Sequence, residues 1–225
     1  MPNTKPLHEM FELNEELPCS VEGCKNKRYK LYSTCLKHRQ RVYKYGHPKA
    51  LSISRKAMKA ELKQVRNIVL KNRDTHPGLN KAIKWFDKWL LDASLEMSGV
   101  PGQYHFKRLY DHGISGEELL VVTAAVFIYS YRNPSKLPSD SKYKEAAVEF
   151  AMAHQTTKLI PLEYMTTASG KKRAKFLSKK DRSEIGKYIY DTVGLLYLKM
   201  VRSLDRKNDE QQTWKKEMQM DFNVA

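Results

Sequence analysis

The sequence predicts a mainly α-helical protein in which a small N-terminal metal-binding module precedes a helical domain with one β-hairpin. Apolar residues recur at helical spacing through most of the chain beyond residue 50. All three cysteines lie within the first 35 residues, and residues 159–177 have instead the pattern of two short strands around a turn. We therefore expect a basic metal-binding module over residues 1–50 and a helical domain over residues 51–225.

The length and composition are those of a folded protein without a membrane span. The chain has 225 residues, of which 41% are hydrophobic and 29% charged, so it can bury a core. Its longest apolar stretch, 119–129, is shorter than the roughly 20 residues that a spanning helix needs. The N-terminus is acidic and lacks the basic start and apolar run of a signal peptide. We expect a cytoplasmic protein with no membrane partner.

The cysteines and one histidine have the spacing of a zinc site. Cys19, Cys24, Cys35 and His38 form the pattern C-x4-C-x10-C-x2-H, two short ligand pairs separated by a basic loop. Gly23 can supply the tight backbone that a turn before Cys24 needs, and an odd number of cysteines argues against a disulfide framework. Three unrelated thiols and a surface histidine are the alternative. We expect one structural Zn²⁺ per chain, because four protein ligands leave no coordination position open.

The same segment resembles a known zinc module. Cys19-Ser-Val-Glu-Gly-Cys24, Cys35-Leu-Lys-His38, Arg41 and Gly46-His47-Pro48 are similar to the N-terminal module of phage HNH endonucleases and related phage DNA-binding proteins. The resemblance covers residues 17–48 and implies a phage-encoded protein in the host cytoplasm, with Arg41 facing nucleic acid. It departs at Arg39, where an aromatic residue is common, and at His47, where Asp or Asn is usual. His47 is a rival fourth ligand, and we prefer His38 for its spacing from Cys35.

Helical patterns follow in order along the rest of the chain. Residues 54–71 have an apolar stripe with basic residues on the neighbouring face, and Ser115–Glu118 form a capping box at the start of a helix reaching Arg132. Because this helix is apolar on nearly all sides, we expect it at the centre of the domain. The expected helices are 35–45, 54–71, 79–98, 115–132, 139–154 and 178–207, with the basic β-hairpin at 159–177.

The positive charge is concentrated in two segments. The formal net charge is +16, and residues 20–66 hold fourteen Lys or Arg against two glutamates. Residues 171–182 hold seven against one aspartate, so the remainder is slightly negative. Such a division is typical of a surface that binds a polyanion, although two solvated surfaces that maintain solubility are the alternative. The expected contacts with nucleic acid, DNA favoured over RNA, are Lys25, Lys27, Arg28, Lys30, Lys37, Arg39, Arg41, Lys44, Arg55, Lys56, Lys59, Lys63, Arg66, Lys171, Lys172, Arg173 and Lys175.

No catalytic motif is recognisable, and we name no catalytic residue. His76 with Asn80, and His112 after Asp111, are the candidates for a nuclease, but neither is followed by the strand and helix that HNH chemistry requires. We expect a non-enzymatic DNA-binding protein that acts in transcription, replication or recombination. Two alternatives remain: an HNH-type endonuclease with unrecognised catalytic residues, and an adaptor that docks on a polymerase or another nucleic-acid-processing protein.

Overall fold

A computed structural model describes residues 6–166, 170–175 and 177–222, and it confirms the mainly α-helical fold. Side chains are described within these ranges except at 142, 165, 172–175 and 207–222. In the described part of the chain, no helix has the length and apolar character to cross a membrane. The elements are α1 (Leu7–Glu15), α2 (Leu36–Tyr45), α3 (Lys59–Asn72), α4 (Pro77–Ser94), α5 (Gln103–Asp111), α6 (Gly116–Arg132), α7 (Ser141–Thr156), β1 (Glu163–Thr166), β2 (Lys172–Lys175) and α8 (Lys179–Phe222).

Helix α6 lies at the centre of the molecule, as its sequence predicts. The Ser115 hydroxyl accepts from the Glu118 N–H, and the Glu118 carboxylate accepts from the Ser115 N–H, so the expected capping box begins the helix. Helices α3, α4, α7 and α8 pack around α6, which is buried on nearly every side. The hydroxyls of Thr123 on α6 and Tyr197 on α8 are 2.6 Å apart within this core. The apolar sequence of α6 therefore accounts for its central place.

Several helix boundaries differ from the sequence prediction. Helix α3 begins at Lys59 rather than Ser54, because the Ser54 hydroxyl and carbonyl accept the N–H groups of Ala57 and Met58 in a separate turn. Helix α4 begins at Pro77 and ends at Ser94, two residues before the left-handed Glu96. Helices α1 and α5 were not predicted, and α8 continues to Phe222 instead of ending near residue 207.

Two close approaches fix the first turns of α8 in the fold. A Cβ at Gly186 would overlap the carbonyl oxygen of Glu149 on α7, so the two helix backbones meet at this point. Gly102 precedes α5 with φ +63°, and a Cβ there would overlap the side chain of Ile185. The start of α8 is therefore held against both α5 and α7.

The expected β-hairpin is present, with strands shorter than the predicted range. β1 and β2 pair antiparallel, from Glu163 opposite Lys175 to Thr166 opposite Lys172. Part of the predicted turn, 167–169, lies outside the described residues. The hairpin is anchored to α5, since the Tyr104 hydroxyl donates to the Glu163 carboxylate at 2.7 Å and Arg108 pairs with the same group at 3.6 Å.

Candidate metal centre

The first ligand pair is presented by a folded loop that precedes α2. The Cys19 N–H donates to the Asn26 carbonyl at 2.9 Å, and the Cys24 N–H donates to the Val21 carbonyl at 3.0 Å. Gly23 has φ +75°, a left-handed conformation that side chains rarely adopt, so glycine permits the turn before Cys24 as the sequence predicted. These bonds bring Cys19 and Cys24 to the same side of the loop.

The second ligand pair lies at the start of α2. Cys35 is the residue before the first turn and has an extended backbone, with ψ 163°. His38 lies in that first turn, where its ring reaches back to Cys35, and Nδ1 is 3.4 Å from the Cys35 sulfur. The C-x2-H spacing therefore places both groups at one helix end, as expected.

The four side chains converge on one point. Cys19, Cys24, Cys35 and His38 each offer a ligand atom, and these atoms all lie within 4.8 Å of one another. The sulfurs of Cys24 and Cys35 are 3.9 Å apart, and the Cys19 sulfur is 3.4 Å from His38 Nδ1. A tetrahedral zinc centre places two sulfurs about 3.8 Å apart and a sulfur and a nitrogen about 3.6 Å apart. This group can therefore bind one metal ion.

Local hydrogen bonds prepare the thiols unequally for deprotonation. Burial alone would raise the pKa of Cys19, but N–H donation from Cys35 and Val21, together with His38, lowers the pKa to about 6. For Cys24, an N–H bond from Asn26 acts in the lowering direction, while burial and the neighbouring sulfurs of Cys19 and Cys35 raise the pKa overall. Of these two thiols, Cys19 is therefore the more readily converted to a thiolate, the form that binds metal.

The rival ligand His47 points elsewhere. Its Nδ1 accepts the N–H of Lys49 at 3.2 Å, and its ring packs on Tyr143 with the ring centres 4.9 Å apart. Burial and the charge of Lys49 lower its pKa. His38, and not His47, lies with the three cysteines.

Helix α1 is hydrogen-bonded to the loop that precedes α2, a contact that the sequence analysis did not predict. The Asn14 side chain donates to the carbonyls of Lys30 and Tyr32, and the Lys30 N–H donates to the Glu15 carboxylate at 3.0 Å. Arg28 donates to Asn14 Oδ1 at 3.2 Å and to the Pro18 carbonyl at 3.1 Å. The module therefore includes α1 as well as the loop and α2.

Most of the predicted contacts with nucleic acid carry exposed side chains, and some have structural partners. Arg28 is half-buried in the bonds to α1, and the half-buried Arg39 lies over the ring of Tyr32. Arg41 is also half-buried. The side chains of Lys172, Arg173 and Lys175 lie outside the described part of the structure. The exposed members of the set are Lys25, Lys27, Lys30, Lys37, Lys44, Arg55, Lys56, Lys59, Lys63, Arg66 and Lys171.

Helix α2 is seated on the helical domain near the start of α8. Gly46 ends α2 with φ +80°, and a Cβ there would approach the Phe150 ring on α7 to 3.0 Å. The guanidinium of Arg182 lies 5.4 Å from the Tyr43 ring and 4.6 Å from the Phe150 ring. Helix α2, which carries His38, and the exit of the hairpin therefore lie close together.

The histidines considered for nuclease chemistry lie at helix ends, and one of them caps a helix. His76 caps α4, since its Nδ1 accepts the Leu79 N–H at 3.3 Å, while the Asn80 amide donates to the Arg73 carbonyl. His112 ends α5 and is exposed. Among the described residues, the Cys3His group is the one cluster of three or more metal-ligating side chains.

Comparison with known proteins adds no relative. No family model, curated protein or solved structure matches this chain. The fold and the site define a mainly α-helical protein with a Cys3His group that can bind one metal ion.

Proposed function

We propose that the chain is a zinc-containing, non-enzymatic nucleic-acid-binding protein of phage type, which binds DNA through a basic surface in the cytoplasm. The observation that carries this proposal is the place of the metal-ligating group, inside the most basic segment of the chain. Lys25, Lys27 and Lys37 are exposed beside the ligands, where a bound ion would hold them in position.

Zinc is the metal that these donors favour. Thiolates are soft ligands, and a Cys3His set with tetrahedral spacing is typical of structural zinc. The four donors surround the site, so the ion has a structural role and needs no substrate position. Reduced thiols in such a site also accord with a cytoplasmic protein.

The charges near the module support a polyanionic partner. On α3, Val65 and Val69 face the core, while Lys59, Lys63 and Arg66 are exposed on the neighbouring face. A helix of this kind can rest on the protein and contact a phosphate backbone at the same time. We therefore infer that α3 extends the basic surface that begins at the metal centre, and that DNA is its partner in transcription, replication or recombination.

A binding measurement on the full chain tests the proposal. We expect the zinc-loaded protein to bind a fluorescent 20-base-pair duplex, and we expect a Lys59→Glu, Lys63→Glu double variant to bind at least tenfold more weakly. The matched control is Lys81→Glu, Lys84→Glu, which reverses two exposed charges on α4, outside the proposed surface, and should retain nearly all the affinity.

Three results would contradict the proposal and name what replaces it. Absence of duplex binding at low salt removes the DNA-binding function. Cleavage of plasmid DNA that depends on added Mg²⁺ identifies a nuclease. A stoichiometric protein that copurifies after nuclease treatment, combined with equal binding by both double variants, identifies an adaptor.

A further inference from the structure

A second candidate site lies away from the metal centre, in a cavity at the root of the hairpin. The cavity has a volume of about 290 Å³ and is lined by the first turns of α5 and α8, the end of α7 and the start of β1. The N-terminal turns of two helices therefore border one partly open space. A helix N-terminus carries a partial positive charge, which favours a bound anion, although at α8 the Asp181 N–H is already accepted by the Ser178 hydroxyl.

The decisive side chain in this cavity is Arg182. It is only 4% exposed, and its Nη2 has no hydrogen-bond partner among the atoms that the structure describes. Its Nε donates to the Ser178 carbonyl at 3.4 Å, and none of the described carboxylates lies within 4 Å of the guanidinium. A buried charge without a partner is costly, and an anionic ligand would remove that cost.

The aromatic contacts of Arg182 do not satisfy its N–H groups. The guanidinium carbon lies 4.6 Å from the centre of the Phe150 ring and 5.4 Å from that of the Tyr43 ring, within the range of cation–π contacts. The rings attract the charge but offer no hydrogen-bond acceptor, and Nη2 is buried without one. A phosphate or carboxylate group at Nη2 would supply that acceptor.

The acidic residues of the cavity have structural roles. The Glu163 carboxylate accepts from the Tyr104 hydroxyl and pairs with Arg108. The Asp181 carboxylate accepts the Ser178 N–H at 3.2 Å and the Ser178 hydroxyl accepts the Asp181 N–H at 3.0 Å, and these two bonds cap α8. Asp181 attracts the Arg182 charge from beyond ion-pair distance, and neither carboxylate accepts a hydrogen bond from Nη2.

The two histidines of the cavity are neutral at physiological pH. Burial and the charge of Arg108 lower the pKa of His105 to about 4, and burial, Lys158 and Arg182 lower that of His154 to about 4. The His105 Nε2 lies 3.0 Å from the Thr156 hydroxyl, which itself donates to the Ala153 carbonyl, so Nε2 carries the proton. His105 Nδ1 therefore carries no proton and can accept a hydrogen bond from a hydroxyl group of a ligand.

We propose that this cavity binds a phosphate monoester, with the phosphate at the edge of Arg182 between the first turns of α5 and α8. The apolar wall of Ile160, Leu162 and Leu177 receives the organic part of the ligand. Two sources share this chemistry: a free mononucleotide, and the terminal phosphate of a nucleic-acid strand that follows the adjoining basic hairpin. Binding of phosphate itself does not depend on the DNA-binding function proposed above.

Titration of the full chain with inorganic phosphate tests the site. At constant ionic strength, we expect saturable one-to-one binding by calorimetry, with the largest changes in ¹H–¹⁵N spectra of the His105 and His154 rings. Arg182→Gln should weaken binding at least tenfold. The control Lys199→Gln removes an exposed charge from a later turn of the same helix, away from the cavity, and should leave the affinity within twofold.

The source is then distinguished by two further probes. Adenosine monophosphate binding more tightly than inorganic phosphate supports a free mononucleotide. A single strand with a 5′-phosphate that binds tenfold more tightly than its 5′-hydroxyl counterpart, but not in Arg182→Gln, supports a strand end. Equal phosphate binding by Arg182→Gln overturns the assignment, as does the absence of saturable binding by the parent chain. If Arg182→Gln does not fold, ring signals in the parent that do not respond to phosphate overturn it equally.

Discussion

At the scale of single residues, Cys35 and His38 place two candidate metal ligands on either side of the boundary between the loop and α2. Cys35 ends the loop and His38 lies in the first turn of α2, so an ion that binds both would tie the loop to the helix. The spacing was enough to predict the group of four side chains that the structure brings together. It did not predict that Nδ1 would face the sulfurs, because this depends on the side-chain rotamer of His38.

Removing either of these ligands should remove the metal. We expect Cys35→Ser and His38→Ala to purify with little zinc and with a disordered segment 17–48, because folding of such a module is driven by metal binding worth about 10 kcal/mol or more. Elemental analysis gives the zinc content, and amide exchange locates the disorder, which should leave α4, α6 and α7 protected. His47→Ala is the control and should keep one zinc per chain. Full zinc occupancy in His38→Ala would mean that another group is the fourth ligand.

Two glycines in α8 offer a matched test of the helix packing. A Cβ at Gly186 would overlap the Glu149 carbonyl, whereas the nearest atom to a Cβ at Gly194 is 3.8 Å away, on Tyr190. We expect Gly186→Ala to lower the free energy of unfolding by about 2 kcal/mol or more, because α7 and α8 must separate. Gly194→Ala should raise it by about 0.5–1 kcal/mol through helix propensity. Urea unfolding measures both, and a stabilising Gly186→Ala would refute the close approach.

At the scale of elements, the strength of the local pattern decided which ones could be predicted. The capping box and continuous apolar run of α6 predict a buried helix, and the turn residues between two short strand patterns predict the hairpin. Helices α1 and α5 have nine residues each, shorter than the stretch of about 11 or more over which helical periodicity is usually recognised, and nothing in α1 is buried. The last part of α8 is polar, and the sequence prediction followed the apolar face of the helix. The predicted end near residue 207 is therefore earlier than the observed end at Phe222.

The basic hairpin should matter only for longer nucleic acids. The exit of the hairpin lies near α2 through Arg182 and Tyr43, so a duplex on the metal module could extend over the hairpin. We expect changing Lys171, Lys172 and Arg173 to alanine to weaken binding of a 20-base-pair duplex far more than that of an 8-base-pair duplex, which is too short to bridge both regions. Fluorescence anisotropy with the two lengths measures the difference.

A control on the metal module completes this test. Changing Lys25, Lys27 and Lys37 to alanine should weaken binding of both lengths, because every duplex would contact that region. Should the hairpin variant bind both lengths as the parent does, the two basic regions serve different partners, and a protein-docking role gains support.

At the scale of the whole molecule, sequence alone could not reveal which segments meet. The metal-ligating group combines residues at most 19 positions apart, and its spacing was therefore readable. The cavity at the hairpin root combines α5, α7, β1 and α8, which are distant in sequence. Its histidines and arginines carry no motif, and only tertiary packing brings them together and buries Arg182.

The distribution of charge over the whole molecule leads to a prediction about salt. Each phosphate that a protein neutralises on duplex DNA contributes about −0.9 to the slope of log K against log salt concentration, through counterion release. If the exposed lysines and arginines of the module and α3 contact about six phosphates, the slope should be about −5. Reversing Lys59 and Lys63 to glutamate should flatten the slope to about −3.5, since two contacts are lost.

Two controls accompany this measurement. Lys59 and Lys63 are exposed and outside the core, so the variant should unfold at the same urea concentration as the parent. The control Lys81→Glu, Lys84→Glu makes the same change in net charge on α4, so it separates local contacts from the overall field. Equal slopes for the parent and the Lys59, Lys63 variant would mean that this face of α3 is solvated and takes no part in binding.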